Sequence, residues 1–325
     1  MKPLHRCFGT LIALASLFLA GTLSAQNYPS RPIRVIGPIP PGVPLDSIVR
    51  LINAKLGERL GTPVVMENRV GGDGIIAVDT AVKAPADGYT LLASVSSQSV
   101  LPSTKKDLPY DSVKDFIPMT RYINFQNILL ANPSFPPNTF QELVAYTKAN
   151  PGKVDYGTSS RGGWLHLVGE LVAREAGISW NNIPFSGNQQ GVANLIGGHI
   201  PVLITVVAEA TPYIKAGKIK PLVIVGTKRS PVLPDVPALS EIAGLPLLDV
   251  DAWAGFMFRS GTPRPIVERV HGELVAVLRL QEVREFILKL GGGLVDESME
   301  SFSKKYLDDI DRWKRVFRES NIQLN

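Results

Sequence analysis

The 325-residue chain contains one cysteine, Cys7, and four histidines. A lone cysteine excludes an internal disulfide and the Cys-rich ligand sets of structural zinc sites. His5, His166, His199 and His271 stand apart, with neither HxxxH nor HExxH spacing, so no metal and no cofactor are expected. No GxSxG elbow is present, and Ser159 and Ser160, although close to His166, have no recognisable acid to complete a triad. No glycine run ends in GK[ST] or follows GxGxxG, which removes phosphate-loop and dinucleotide chemistry. The chain therefore reads as a binder and not an enzyme. Like charges are equally sparse in runs: none reaches five in succession among 34 basic and 29 acidic residues, which excludes a nucleic-acid footprint and a membrane-binding patch. No apolar stretch approaches the ~20 residues a membrane span needs.

What is present begins with a leader. Met1 to Arg6 carry two positive charges, Leu11 to Ala20 are apolar, and Ser24-Ala25 offers small residues for cleavage. That is the pattern of a secretory signal peptide over residues 1–25; Gly21, Thr22 and Ser24 interrupt the run too early for an anchor. Cys7 precedes the apolar segment, so it leaves with the leader, as do Lys2 and Arg6, which lowers the formal charge from +5 to +3. A mature chain without cysteine in an oxidising compartment must draw its stability from burial, and its length suffices for two domains with separate cores.

The pattern along the chain is α/β. A strand at Ile33 to Ile36 leads through a Pro/Gly loop to a helix with Leu45, Val49, Ile52, Leu56 and Leu60 on one face, ended by Gly61. A strand at Val64 to Glu67, the turn Gly71-Gly72-Asp73-Gly74, a small helix and a strand at Tyr89 to Ala93 continue a parallel sheet. After the extended stretch Phe116 to Ala131, a helix opens at Thr139 with Glu142 completing a capping box. A second α/β unit follows: strands at Val154 to Gly157, Ile200 to Val207 and Leu222 to Val225, and helices at Gly163 to Ala176 and Asn188 to Ile196. A proline-rich connector at Ser230 to Pro237 and the extended segment Leu247 to Phe258 precede three terminal helices. Two extended crossings divide the chain into residues 26–124 plus 251–325 as one lobe and 125–250 as the other, with a two-strand hinge between them.

In open α/β sheets the loops at strand ends line the ligand crevice. The first candidate loop is Pro38 to Asp46, from which Ile39, Gly42, Val43, Leu45 and Asp46 are site candidates. Its N–H groups open a helix, where a carboxylate or phosphate is favoured; Asp46 itself reads first as an N-cap. The second is Tyr156 to Trp164, with Ser159, Ser160, Arg161, Gly162, Gly163 and Trp164 as candidates and a guanidinium suited to a carboxylate. Trp164 shares a helical face with Leu167, Val168 and Leu171, a core pattern. Ser96 and Ser97 after the third strand, and Gly187 and Asn188 before a helix, complete a polar lining. The Gly71 to Gly74 turn reads as a tight strand-to-helix connection and not a ligand loop.

Taken with their flanks, these loops resemble those of the tripartite tricarboxylate transporter receptors, the Bug or TctC-like periplasmic solute-binding proteins. The likeness covers the whole mature chain. It is carried by Tyr28-Pro29-Ser30-Arg31-Pro32-Ile33, Pro40-Pro41-Gly42 with Asp46, Glu67-Asn68-Arg69, Asp87-Gly88-Tyr89-Thr90-Leu91-Leu92, Asn150-Pro151-Gly152-Lys153, His166-Leu167 with Gly169-Glu170, Leu233-Pro234-Asp235-Val236-Pro237 and Gly261-Thr262-Pro263. The resemblance implies a two-lobed, type II-like periplasmic binding protein fold of parallel and mixed sheets flanked by helices, with a ligand cleft between the lobes. It also implies a periplasmic monomer that closes on a small organic acid and delivers it to a membrane permease of one large and one small subunit. In that family the loop after the first strand and the loop at Ser159 to Trp164 grip a carboxylate.

This chain departs from the pattern. It has Val43-Pro44-Leu45 where a glycine, a small residue and a hydroxyl are usual, Ile39 where an aromatic is usual, Gly163-Trp164-Leu165 before His166, and Phe185-Ser186-Gly187 in place of Tyr, a basic residue and Gly. The strand near Pro201 and Thr205 lacks the usual aspartates. These changes make the pocket more apolar and point to an aromatic or bulky monocarboxylate packed by Trp164 and Leu45. A solute-sensing partner of a membrane signalling receptor, and a secreted enzyme on a receptor-like fold, are the competing readings.

Overall fold

The computed structural model describes residues 28–242, 245 and 248–319. The leader over 1–25, Cys7 and part of the extended segment beginning at Leu247 lie outside the described residues.

Each half of the molecule is built on a five-stranded sheet of the same plan. In the first, β1 (Ile33–Gly37) pairs in parallel with β2 (Val64–Asn68) and β3 (Thr90–Val95), and β10 (Ala252–Arg259) then runs antiparallel between β3 and β4 (Phe116–Phe125). In the second, β6 (Asp155–Thr158) is parallel to β7 (Asn181–Pro184) and β8 (Val202–Val206), and β5 (Asn127–Ala131) runs antiparallel between β8 and β9 (Lys220–Val225). Both sheets are mixed, as the two-lobed reading expects.

Except directly after β3 and β8, the helices form where spacing and punctuation predict them. Helix α1 (Pro44–Leu60) buries Ile48, Val49, Ile52, Leu56 and Leu60, starts with proline in its first turn, and ends on Gly61 at φ 69°. Glycine bears that left-handed geometry without the Cβ cost. Helix α2 (Ile75–Lys83) links β2 to β3. The short α3 (Ser97–Thr104), which carries Pro102 inside it, follows β3 almost without a loop. Helix α4 (Phe140–Ala149) has the predicted cap, with Thr139 Oγ1 accepting from Glu142 N at 3.1 Å. The Glu142 carboxylate turns back to Asn138 N at 2.7 Å, one residue earlier than a strict capping box.

Helices α5 (Trp164–Ala176), α6 (Asn188–Ile196) and α7 (Val207–Lys215) flank the second sheet. Helices α8 (Arg264–Leu278) and α9 (Gln281–Lys289) return to the first, where Val35, Ile52, Leu56, Phe256, Val270 and Leu274 form a closed core. Each such side chain, fully withdrawn from water, contributes about 1.5–3 kcal/mol.

Two features join the halves. At Gln126 the chain leaves the first sheet and enters the second, since Phe125 pairs with Ala252 in β10 and Asn127 pairs with Val206 and Val225. The Asn127 amide donates to the Val250 carbonyl at 2.5 Å, tying this crossing to the returning one. Helix α10 (Met299–Glu319) bridges both lobes: its stripe of Phe302, Tyr306, Asp309, Ile310, Trp313 and Val316 is buried. The first three of its apolar members pack under the first sheet, while Trp313 and Val316 enter the second core. Asp309, fully buried within that stripe, accepts from Trp253 Nε1 at 2.9 Å, Lys305 Nζ at 2.7 Å and Arg312 Nη1 at 3.0 Å, which compensates its loss of water.

Candidate functional site

The loops that follow the parallel strands β1, β2 and β3 in one lobe, and β6 in the other, meet across the cleft. They enclose a cavity of about 520 Å³. Pro38, the Gly71–Gly74 turn and α3 form one wall, and the segment Ser159 to Trp164 forms the other.

The 159–163 loop is held from behind. Gly162 N donates to His166 Nδ1 at 2.8 Å, Gly187 N donates to Ser159 O at 3.2 Å, and Thr158 Oγ1 donates to Ser160 O at 3.2 Å. A Cβ on Gly163 would lie 2.1 Å from Ser160 Oγ, so a larger residue there would turn the Ser160 hydroxyl away from its present position. Gly163 is then the N-cap of α5 and has no side chain to satisfy the first N–H groups of the helix. Neither Gly74 at the start of α2 nor Ser96 at the start of α3 caps its helix through a side chain. Arg161 is exposed beside these helix starts and takes part in no hydrogen bond or ion pair among the described residues. Trp164 is buried, lines the cavity, and leaves its Nε1–H without an acceptor. The chemistry on offer is hydroxyl groups and the charge of Arg161 together with apolar surface from Val100, Leu101 and Trp164.

The buried His166 fixes the loop through its unprotonated Nδ1. Burial, with the charge of Arg161 adding to it, pushes its imidazole from the ordinary 6.5 down to about 4. A depressed histidine favours the folded state above the ordinary value, and that stability is lost as pH falls through 4. We expect about 3 kcal/mol of acid destabilisation from this residue between pH 6.5 and 4. It is measured as the difference between denaturant titrations of the wild type and His166→Asn, whose Oδ1 retains an acceptor for Gly162; parallel pH curves would refute it.

Seven of the predicted site residues share the cavity: Ser97, Ser159, Ser160, Arg161, Gly162, Gly163 and Trp164. The others do not line it. Ile39 is buried in the first core, against which Val43 and Leu45 are partly packed, and Gly42 is exposed with φ 81°. Leu45 and Trp164 thus do not form opposite walls of the cavity. Asp46 is not the N-cap, a position held by Val43. Its carboxylate accepts from Gly42 N at 3.0 Å, Arg50 Nε at 2.9 Å and Asn68 Nδ2 at 2.8 Å, and so locks the 38–46 loop. Burial alone would raise this carboxyl, but the hydrogen bonds from Arg50, Gly42 and Asn68 outweigh it and hold it below the usual range. Ser96 and Gly187 are the N-caps of α3 and α6, and Asn188 is the first residue of α6.

The sequence reading passed over the other wall. Gly71, Asp73 and Gly74 line the cavity, as do Thr104 and Lys105 at the end of α3, and Lys105 Nζ lies 3.3 Å from Asp73 Oδ2. The signal was present in the unusual glycine run, whose four residues all have positive φ, from 56° at Asp73 to 120° at Gly71. A tight turn and a cavity wall are here the same object.

The sequence model of the tripartite tricarboxylate transporter family receptor matches residues 48–322. The chain belongs to this family. These receptors are periplasmic solute-binding proteins that serve a membrane permease, and this receptor shares their full length with its relatives. It is 32% identical to the protein BugT of Bordetella pertussis, over 100% of this chain and 99% of that one. Among solved structures it is similar to an R. palustris protein with adipate (28% identity, TM-score 0.79, covering 91% of this chain and 99% of that one). It is also similar to MatC of Rhodopseudomonas palustris with bound malate (29% identity, TM-score 0.76, covering 89% and 100%). Among the described residues, the receptor has no group of three or more His, Cys, Asp or Glu placed to hold a metal ion and no helix long and apolar enough to cross a membrane.

Proposed function

We propose that this receptor captures a small organic monocarboxylate with an aromatic or bulky body and delivers it to a permease of one large and one small membrane subunit. One observation carries the reading: an unpaired guanidinium, Arg161, stands beside the uncapped start of α5 in a cavity that also presents the apolar surface of Val95, Val100, Leu101 and Trp164. Ser97, Ser159 and Ser160 offer further polar contacts. The solved relatives with adipate and malate support a carboxylate as the ligand class. In this reading the leader over 1–25 is removed on export, the mature chain works as a monomer, and the lobes 26–124 plus 251–325 and 125–250 close about the paired crossings. Closure selects the ligand because only a solute touching both lobes favours the closed form.

The test is a thermal shift screen of the mature protein, freed of carried-over ligand, against aromatic and aliphatic acids. A ligand at about a hundred times its Kd stabilises the folded state by about 2.7 kcal/mol, which raises Tm by several degrees. Benzoate-like or branched monocarboxylates are expected to give the largest shifts. Tight binding of citrate with no response to aromatic acids would remove the bulky monocarboxylate, and silence to every acid would remove the carboxylate altogether.

A further inference from the structure

Among the described residues, three charged side chains line the cavity: Arg161 on the second lobe, and Asp73 and Lys105 on the first. Asp73 is the one whose presence local structure does not require. It is the only residue other than glycine at positive φ among the described residues, at φ 56°, inside a turn where Gly71, Gly72 and Gly74 share that conformation. Glycine would serve there without steric cost, and of the other residue types Asn and Asp tolerate the position best. Nor does the carboxylate cap a helix: α2 opens on Gly74 with no side-chain hydrogen bond, and the single turn before it opens on Gly71 likewise. Its one ionic partner among the described residues is Lys105, whose Nζ lies 3.3 Å from Oδ2. Both side chains are about half exposed, so the pair adds little to the stability of the fold. What it sets is the charge of the cavity. Lys105 is neutralised by Asp73 and Arg161 by nothing, so two cations and one anion leave a formal charge of +1.

We propose that Asp73 is a specificity-determining residue, which selects acids with one carboxylate against acids with two. The inference rests on the carboxylate-receptor reading and supplies a reason for the single charge. A monocarboxylate held by Arg161 cancels the charge of the cavity and leaves the Asp73–Lys105 pair intact. A dicarboxylate brings a second negative charge to the wall of the first lobe, where the one cation is already engaged. It must then draw Lys105 away from Asp73 or lie beside a like charge, and either costs affinity. A repulsive group aimed at the competitor discriminates where the attractive contacts to both ligands are alike.

Titration calorimetry on acids of matched skeleton tests this: hexanoate against adipate and benzoate against terephthalate, for the wild type, Asp73→Asn, and Asp73→Asn combined with Lys105→Met. Asparagine keeps the left-handed turn and removes only the charge. The wild type is expected to favour the monocarboxylate of each pair. Asp73→Asn shifts that ratio towards the dicarboxylate by about tenfold, the size of one unit charge acting at close range near a protein surface, and high salt shrinks the shift. A purely structural effect of the substitution would move both acids together and ignore salt. Adding Lys105→Met returns the ratio to that of the wild type, because the wall of the first lobe is again neutral. A wild type that binds the dicarboxylates more tightly, a ratio unchanged in Asp73→Asn, or a shift insensitive to salt overturns the role of Asp73 and leaves the carboxylate reading standing. Should Asp73→Asn not fold, Lys105→Met alone decides: it leaves Asp73 without its cation and strengthens the preference for the monocarboxylate, and an unchanged ratio overturns the inference. Failure of every acid to bind any of these proteins overturns both readings.

Discussion

Arg161→Ala weakens carboxylate binding by about ten- to a hundredfold, while the melting temperature of the ligand-free protein stays within about a degree. The first part follows from the 1.5–3 kcal/mol typical of a hydrogen bond to a charged group, with the guanidinium fork able to supply two. The second follows from exposure: Arg161 bonds to nothing among the described residues, so the empty fold loses no contact with it. Removing the cation also relieves part of the pressure that keeps His166 neutral. Arg161→Lys restores charge without the fork and is expected to fall between. Titration calorimetry at low and high salt reads both effects, since a charge-led contact weakens as ionic strength rises. An unchanged Kd in the alanine variant would place the anion on the helix N–H groups alone.

The second large effect lies away from the cavity. Trp313 is fully buried, and its ring meets that of Trp164 edge-on, with centroids 4.7 Å apart. Trp313→Ala removes a large side chain from the second core and is expected to cost about 3–5 kcal/mol, a fall in Tm of roughly 10 °C. Ligand affinity falls with it, because Trp164 loses the surface that fixes its ring along the cavity. Trp313→Phe keeps an aromatic edge and is expected to lose less of both. Leu307→Ala, on the same helix but 42% exposed, is the control and changes stability by no more than about 0.5 kcal/mol. Thermal and denaturant unfolding measure the stabilities. A Trp313→Ala variant as stable as the control would mean that the end of α10 does not hold the second lobe.

Much of this architecture was legible in the residues. The apolar spacing of α1 and its closing Gly61 name the helix and its end, and the alternation of strand and helix implies two sheets. Three elements escaped for definite reasons. Helices α3 and α7 contain Pro102 and Pro212 and follow their strands with almost no loop, so neither punctuation nor periodicity marks them. Strand β7 is the edge sequence Asn-Asn-Ile-Pro, exposed at both ends and without alternation. It is a strand because β6 supplies a partner.

The site divides along the same line. Local sequence determined the loop at Ser159 to Trp164, because glycines, hydroxyls and an uncapped helix start are properties of consecutive residues. It also determined that the 38–46 loop is rigid, since its prolines and Asp46 are neighbours in the chain. Which residue of that loop faces the cavity was decided only in three dimensions. Pro38 turns to the cavity, while Ile39 is drawn into the core. The wall at Asp73 and Lys105 likewise faces the Ser159 to Trp164 loop because strands are exchanged at Gln126 and α10 lies under both lobes. Such contacts join residues far apart in the chain, and their free energy comes from burial between whole elements, which leaves no period or motif in the sequence to announce them.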